Sequence, residues 1–271
     1  MKNLRYIVLL AFFGLFSCEE IIELDLPEAA PRLVVDASID WIKGTDGSAQ
    51  KIKLTTTAGY YDTEVPVVSG AIISIENEDG IVFDFVENAT SGEYFCYNFI
   101  PEIGQSYTLT IVVNDEIYTA TEKLFSTPDI LYFTQSNDIG FGDDIYEIRY
   151  YFQDNPEEDN FYVDRVQEPN KLLASYGAMN DKFDQGNLTY GLYFSDELVA
   201  GDVLNVRLYS VSERYYSYMS KLLEAADSGG GPFQSTPSTV RGNLINQTNP
   251  DNFALGYFRL CQVFEADYVV E

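Results

Sequence analysis

The residues able to carry out chemistry are restricted in this chain by the lack of histidine. The sequence has 3 cysteines, 16 lysines and arginines, and no histidine. A serine-hydrolase triad uses histidine as its base and a zinc protease uses histidine ligands, so both classes of enzyme are excluded. A serine–lysine dyad at Ser220 and Lys221 is disfavoured, because adjacent residues on a helix do not face each other.

Carboxylates are abundant, with 43 aspartates and glutamates, and they leave two hypotheses open. A pair of them could hydrolyse a glycosidic bond, but no pair stands out, so a carboxylate-based glycoside hydrolase is a remote alternative. The acidic stretches 143–144 and 154–160 offer oxygen ligands for calcium. Neither has the spacing of a calcium-binding loop, so solvated loop acids are the preferred interpretation. We expect a protein without catalytic residues, metal or cofactor.

The net charge limits the possible partners. The formal charge is −27 at pH 7, and a surface of this sign repels nucleic acid and anionic lipid head groups. We therefore expect no nucleic-acid partner and no attachment to membranes through a basic patch.

The N-terminal segment indicates export from the cytoplasm. Residues 6–16 follow a basic start and carry no charge. A helix of this length spans about 16 Å, which is too short for a hydrocarbon core of about 30 Å but typical of a secretion signal. The run Leu15-Phe16-Ser17-Cys18 resembles the lipobox of bacterial lipoproteins, which implies removal of residues 1–17 and lipidation of Cys18. An ordinary cleaved signal with an incidental cysteine is the alternative.

Behind the signal, an acidic tether at 18–32 leads into a first β-rich segment at 33–125. From Leu33 onward, apolar and polar residues alternate with a period of two, which is typical of strands. The strands predicted for this segment are 33–40, 51–57, 71–76, 81–87, 93–99, 107–113 and 117–124. Hairpin turns are predicted at Asp79-Gly80 and Asn114-Asp115. Seven short strands predict an Ig-like antiparallel sandwich.

The second segment, 130–271, is predicted to be β-rich with one α-helix at about 211–227. Its predicted strands are 130–135, 145–153, 160–166, 188–194, 203–209, 240–245 and 255–268. Ser210 and Glu213 have the spacing of a capping box, and apolar residues follow at helical spacing from Tyr215 to Ala226. Residues 125–129 are interpreted as the linker between the two segments.

The remaining cysteines and the aromatic residues give further expectations. Cys96 and Cys261 fall in predicted strands of different segments, so two buried free thiols are favoured over a disulfide. Neighbouring aromatic residues should place one ring in the core and the other outside. Trp41 is predicted to lie in the core or at an interface. Exposed tyrosines would suit contact with sugars or peptides.

Two parts of the sequence resemble known families. The stretch 69–109 contains the motif Ser91-Gly92-Glu93-Tyr94 and resembles the prealbumin-like or carboxypeptidase-regulatory-like module. This resemblance implies a seven-stranded Ig-type sandwich. The opening Cys18–Pro27 and the helix-to-glycine segment Tyr215–Phe233 are similar to a family of outer-membrane lipoproteins of unknown function from Bacteroidota.

The second resemblance implies a cellular context, because the family has no assigned catalytic residues. Its members tend to be encoded beside SusC-like TonB-dependent transporters. Acids directly after the lipidated cysteine, here Glu19 and Glu20, resemble a signal for transfer to the cell surface. The hypothesis is a lipid-anchored, non-catalytic accessory or binding protein of the outer membrane. A structural or adhesin-like lipoprotein is the alternative, and the periplasmic leaflet is the second choice of location.

The ligand or partner surface is predicted around the end of the helix. The residues concerned are Tyr216, Gly229, Gly230, Gly231, Pro232 and Phe233. A turn with three glycines is costly in conformational entropy, so it tends to be kept where the backbone must approach a partner closely. The alternative interpretation is a plain helix stop.

Overall fold

Alternation of apolar and polar residues builds 15 β-strands in the described part of the chain, and the mainly β fold class predicted from the sequence is confirmed. The structure is a computed structural model that describes residues 30–137, 145–227 and 239–271. The strands are β1 (Leu33–Ile42), β2 (Gln50–Thr56), β3 (Ile72–Asn77), β4 (Val82–Glu87), β5 (Glu93–Cys96), β6 (Ser106–Val113), β7 (Glu116–Lys123), β8 (Ile130–Ser136), β9 (Tyr146–Gln153), β10 (Phe161–Gln167), β11 (Ser175–Asn180), β12 (Leu188–Ser195), β13 (Val203–Val211), β14 (Ile245–Asn246) and β15 (Leu255–Val269). The described helix, α1, is Glu213–Asp227.

Twelve of these strands form one sheet, in the order β11-β10-β13-β15-β1-β2-β5-β4-β3-β6-β7-β14, and the other three form a second sheet, β12-β9-β8. The first and last strands, β1 and β15, pair in parallel from Val34 opposite Leu255 to Ile42 opposite Val263. The predicted segments 33–125 and 130–271 are therefore joined in one sheet. Residues Pro31–Glu271 form a single compact unit.

The large sheet curls on itself and encloses a first hydrophobic core. Side chains from β1, β2 and β5 and side chains from β3, β6 and β7 belong to the same buried cluster. Phe258 and Leu260 of β15 also belong to it. The core of the predicted Ig-like sandwich is thus completed by the last strand of the chain.

A second core lies between the other end of the large sheet and the three-stranded sheet. Ile148, Tyr150 and Phe152 of β9 pack with Leu204 and Leu208 of β13 in this cluster. A third, smaller cluster lies under α1, where Met219 packs with residues of β10, β13 and β15. The helix therefore covers one face of the same strands that form the second core.

The start of α1 differs from the predicted capping box. Ser212, and not Ser210, caps the helix: its Oγ accepts a hydrogen bond from the backbone N–H of Tyr215 at 3.1 Å. Ser210 is the penultimate residue of β13 and is buried. The strand continues to Val211, so the first free cap position is two residues later than predicted, and the capping-box prediction is wrong.

Several local predictions are confirmed. Gly80, Asn114 and Asp115 have φ values of 76°, 51° and 61°, as tight hairpin turns require. Cys96 and Cys261 are both buried and free. Trp41 is half-buried and packs against the first core.

The prediction that neighbouring aromatic residues place one ring in the core is wrong for Tyr60 and Tyr61, and one strand is absent from the predicted set. Tyr60 and Tyr61 are both exposed, at 84% and 67%, because they lie between β2 and β3 and not on a strand with a buried face. Strand β11 was not predicted, since Ser175–Asn180 is half-exposed and lacks a clear alternation of burial.

Within the described residues, no helix combines the length and apolar composition needed to cross a membrane.

Candidate binding cavity

An open cavity of about 630 Å³ lies beside α1. Its lining residues are Glu213, Arg214, Ser217, Tyr218, Lys221, Thr239, Val240, Arg241, Gly242 and Tyr257. They come from one side of α1, from the segment that precedes β14, and from β15. The cavity is therefore assembled from residues far apart in the sequence.

The helical wall of the cavity is polar because α1 has two different faces. Glu213, Ser217 and Lys221 are spaced four residues apart, so they lie above one another on the side that lines the cavity. Met219, on another side, is buried in the cluster with β10, β13 and β15. Packing through that apolar side fixes the helix and leaves the polar side open to solvent.

The opposite wall depends on two glycines that allow close approach of backbones. A Cβ atom at Gly242 would lie 1.7 Å from the carbonyl oxygen of Gly256. Gly256 itself has φ +85° and faces the carbonyl oxygen of Val35, which would lie 2.0 Å from a Cβ atom. Residues with side chains cannot occupy either position without a shift of the backbone. The segment 239–242 can therefore lie directly against β15.

The sequence predicts a strand at 240–245, but here Asn243 binds β15 through its side chain and not through its backbone. Its Nδ2 donates a hydrogen bond to the carbonyl of Phe258 at 2.7 Å, and its Oδ1 accepts one from the N–H of Phe258 at 2.9 Å. The side-chain amide satisfies the backbone of β15 as a neighbouring strand would. Only the last residue of the predicted strand, Ile245, is in a strand, β14, so the prediction is wrong for the rest.

Tyrosine rings form the apolar part of the cavity. Tyr218 and Tyr257 line it, with ring centroids 4.8 Å apart. Tyr215 packs behind them, 4.8 Å from Tyr257 in an edge-to-face arrangement. Such pairs hold rings in fixed orientations. Burial raises the pKa of the Tyr218 and Tyr257 hydroxyls, so both are neutral hydrogen-bonding groups at pH 7.

A buried carboxyl group, that of Glu122 on β7, lies next to Tyr257. It accepts hydrogen bonds at Oε1 from the Tyr257 hydroxyl at 2.8 Å and from Asn243 Nδ2 at 3.0 Å. Burial raises the pKa of Glu122, while these hydrogen bonds, one from Ser212 and the charge of Arg214 act in the opposite direction. Glu122 thus connects the first core to both walls of the cavity.

Three exposed cations, Arg214, Lys221 and Arg241, line the cavity. The guanidinium of Arg241 lies 3.6 Å from the ring centroid of Phe253, and that of Arg32 lies 3.8 Å from the same centroid. Contact with the ring restricts the direction of the Arg241 side chain. Within the part of the chain that the structure describes, none of the three cations at the cavity forms an ion pair.

Of the residues predicted to form the ligand or partner surface, Tyr216 lies on α1 but does not line the cavity. Tyr216 packs against Phe161, with centroids 5.3 Å apart, and its hydroxyl accepts a hydrogen bond from Asn180 at 2.8 Å. Cys18, Glu19, Glu20, Gly229, Gly230, Gly231, Pro232 and Phe233 lie outside the described residues. The sequence prediction missed the three cations because single charges are usually solvated, and no local spacing connects Arg241 to the helix.

The acidic stretch 154–160 is organised by hydrogen bonds within the protein. Asp154 accepts hydrogen bonds from the Tyr162 hydroxyl and from the N–H of Gly186, both at 2.7 Å. Asn155 Nδ2 donates to Glu158 at 3.1 Å. Among the described residues, no group of three or more acids or cysteines is arranged to hold a metal ion. Asp143 and Asp144 are not among them.

A second exposed surface, here called the tyrosine face, is the outer side of the three-stranded sheet. Tyr132, Tyr151 and Tyr190 are directly opposite one another on β8, β9 and β12. Their centroids are 4.5 Å and 5.3 Å apart along the row. Leu192 and Phe194 extend this face along β12 and are 41% and 48% exposed. Apolar patches of this kind mark interaction surfaces.

These features define a mainly β sandwich protein with a surface helix and an open polar cavity. A family model matches residues 19–267, so the chain belongs to the DUF4249 family, a domain of unknown function. A search of curated proteins found no match.

Three solved structures similar to the chain have low sequence identity and low TM-scores. They include a two-domain fibronectin type-III segment of chicken tenascin, with 12% identity over 67% of this chain and 91% of that chain and a TM-score of 0.23. A DUF4785 family protein from Legionella pneumophila has 10% identity over 66% and 52%, with a TM-score of 0.26. A cytokine receptor complex has 8% identity over 67% and 86%, with a TM-score of 0.27. Likenesses at these TM-scores carry no argument about function.

Proposed function

We propose that this protein is a lipid-anchored, non-catalytic binding protein of the outer membrane that captures a ligand for a TonB-dependent transporter. The observation that carries the proposal is the open cavity beside α1, where polar groups from three parts of the chain meet around two tyrosine rings. Small-molecule sites combine apolar walls with a few convergent polar groups in this way.

The anchor in this proposal is Cys18. The uncharged run 6–16 and the lipobox-like residues before Cys18 support export and lipidation. One acyl chain holds a protein only weakly at a bilayer, and stable attachment takes more than one. The resemblance to Bacteroidota lipoproteins supports an outer-membrane location and a SusC-like partner, and Glu19 and Glu20 support the cell surface.

Metabolic labelling with a palmitate analogue tests the anchor. We expect label on the mature chain, loss of the label in Cys18→Ala, and release of that variant from the membrane fraction. Detection of the unlabelled wild-type chain in the culture fluid would contradict the proposal.

Protease treatment of intact cells tests the leaflet. We expect the wild-type chain to be digested and the double variant Glu19→Gln/Glu20→Gln to be protected. The matched control, Asp62→Asn/Glu64→Gln, removes the same charge from an exposed loop and should be digested like the wild type. Equal digestion of all three chains would argue against a surface signal at these two acids.

A structural or adhesin-like envelope lipoprotein is the second candidate, and the tyrosine face is the observation that favours it. Cross-linking in intact cells, followed by purification from detergent-solubilised membranes, separates the two candidates. Recovery of a transporter β-barrel supports the binding protein. Recovery of other envelope proteins without a transporter supports the structural candidate.

A further inference from the structure

We infer that the cavity beside α1 recognises an anionic group, a carboxylate or a phosphate, on a small ligand. This inference rests on the proposed function, because it specifies the ligand that the binding protein would take. Arg214 and Lys221 approach the cavity from α1, and Arg241 approaches it from the facing segment. A group held between the two walls would contact cations on both sides.

The three cations at the cavity concentrate positive charge on a strongly acidic molecule. Acidic residues outnumber basic ones by 43 to 16, so most charged side chains on this molecule are negative. Of the 14 lysines and arginines among the described residues, six form ion pairs, for example Arg259 with Asp40 at 2.6 Å, and eight do not. Three of those eight, Arg214, Lys221 and Arg241, line one concave site. An anionic ligand would supply the missing partner.

Two carboxylates lie close to these cations, and neither forms an ion pair with them in the described part of the chain. Glu213 lines the cavity as the first residue of α1, where a negative charge interacts favourably with the positive end of the helix dipole. Glu122 lies behind Tyr257 and its Oε1 is taken up by two hydrogen bonds. Three cations and one lining carboxylate, Glu213, leave the lining with a net charge of +2.

The other lining residues narrow the kind of ligand. The hydroxyls of Ser217 and Thr239 can donate hydrogen bonds, and the planar guanidinium groups of the arginines can bind carboxylate or phosphate oxygens in pairs. The ring of Tyr218 offers an apolar surface for the rest of the molecule. A cavity of about 630 Å³ is of the size that small ligands occupy. A sugar acid or a sugar phosphate has both the required charge and a compact body.

Three matched probes test this inference on the full chain purified in detergent. Glucose, glucuronate and glucose 6-phosphate share one ring and differ at one carbon, which carries a hydroxymethyl, a carboxylate or a phosphate ester. In calorimetric titrations at low ionic strength, we expect at least one acidic probe to bind about tenfold more tightly than glucose, and the preference between the two acidic probes identifies the group. Added salt should weaken the tight binding, because exposed charges are screened.

Substitutions locate the binding at the cavity. Arg214→Gln and Arg241→Gln should each weaken binding of the acidic probe about tenfold and leave glucose unaffected. The matched control is Lys53→Gln, which removes the same charge from an exposed position on β2 and should bind like the wild type. All three side chains are exposed, so each variant should remain folded, which thermal unfolding checks.

The inference is overturned if neither acidic probe binds more tightly than glucose, or if Lys53→Gln weakens binding as much as the cavity variants do. These outcomes are distinct from failure of the proposed function, which is measured in membranes by labelling and cross-linking. If the chain is recovered with a transporter but does not bind the acidic probes, only the inferred ligand class is contradicted. If the chain binds the probes but is not anchored, only the proposed cellular role is contradicted.

Discussion

Glu116 and Glu122 lie on the same strand, β7, and their carboxyl groups are held in opposite ways. Glu116 Oε2 accepts hydrogen bonds from the Tyr118 hydroxyl and from Asn252 Nδ2, both at 2.6 Å. These donors lower the pKa of Glu116, the bond from Tyr118 most of all. Glu122 is only 7% exposed, and its burial raises the pKa in spite of its hydrogen bonds. Hydrogen-bond donors therefore determine the direction of the pKa shift at Glu116, and loss of hydration determines it at Glu122.

The substitutions Glu122→Gln and Glu116→Gln should therefore change stability with opposite dependence on pH. Below pH 4.5, the ordinary pKa of both groups, Glu122 is protonated in the folded and unfolded chain. As the pH rises from there through the raised pKa, the wild type should lose free energy of unfolding relative to Glu122→Gln, because the fold disfavours the ionised form.

Glu116→Gln is the matched control on the same strand. Above pH 4.5 the wild type should be more stable than this variant, and the difference should vanish as the pH falls through the lowered pKa of Glu116. Denaturant unfolding of the three proteins between about pH 3 and pH 8 measures both differences. Two differences with the same dependence on pH would contradict the opposite environments of the two carboxyl groups.

At the scale of elements, the irregular segment before β14 shapes the cavity as much as the helix does. This segment was predicted as a strand because Val240, Leu244 and Ile245 are apolar. It does not form a ladder with β15, since Asn243 supplies the hydrogen bonds through its side chain. A backbone freed from the ladder can follow the contour of β15 and present Thr239 and Arg241 to the cavity.

The substitution Gly242→Ala should separate this segment from β15. The added methyl group meets the backbone carbonyl of Gly256, which cannot move as a side chain can. We expect a loss of about 1–3 kcal/mol in free energy of unfolding, together with weaker binding of the acidic probe, measured by denaturant unfolding and calorimetry.

Gly59→Ala is the control for this prediction. A Cβ atom at Gly59 meets only the side chain of Asp62, at 3.1 Å, so this variant should keep both the stability and the binding of the wild type. If Gly242→Ala behaves like Gly59→Ala, close approach at Gly242 does not define the wall of the cavity.

At the scale of the whole molecule, β15 connects all three buried clusters. Phe258 and Leu260 belong to the first core, Phe264 and Tyr268 pack against the second, and Val263 belongs to the third. The predicted linker is also attached to this strand, since Thr127 is 1% exposed and its N–H donates to Gln262 Oε1 at 3.2 Å. Thr127, at the centre of the predicted linker 125–129, is therefore packed against β15, while Ser126 and Asp129 are exposed.

The substitution Phe258→Ala should consequently destabilise regions far from the first core. Removal of a buried phenyl ring costs about 3–5 kcal/mol, and a strand shared by all clusters should distribute that loss. We expect faster hydrogen exchange in both β6 of the first core and β9 of the second, measured by mass spectrometry.

Phe183→Ala is the matched control, because Phe183 is 88% exposed and its removal should leave exchange unchanged. Faster exchange in β6 alone, with β9 unaffected in Phe258→Ala, would show that the two segments unfold independently. Such a result would favour two units joined by pairing of β1 with β15.

The sequence alone determined the features that depend on neighbouring residues. Alternation with a period of two gave most strands, glycine and asparagine gave the turns at Gly80 and Asn114, and apolar residues at helical spacing gave α1. Free buried thiols followed from the apolar surroundings of Cys96 and Cys261. These properties arise from local sterics and burial, which a short window of sequence contains.

The tertiary structure decided which distant residues share a site. Arg214 and Arg241 are 27 positions apart in the sequence, and they line the same cavity because α1 packs on β15 while Gly242 lies against Gly256. The parallel pairing of β1 with β15 likewise joins the two ends of the described fold. Such contacts depend on how whole layers stack, and the hydrophobic period of each segment is the same for many possible stackings.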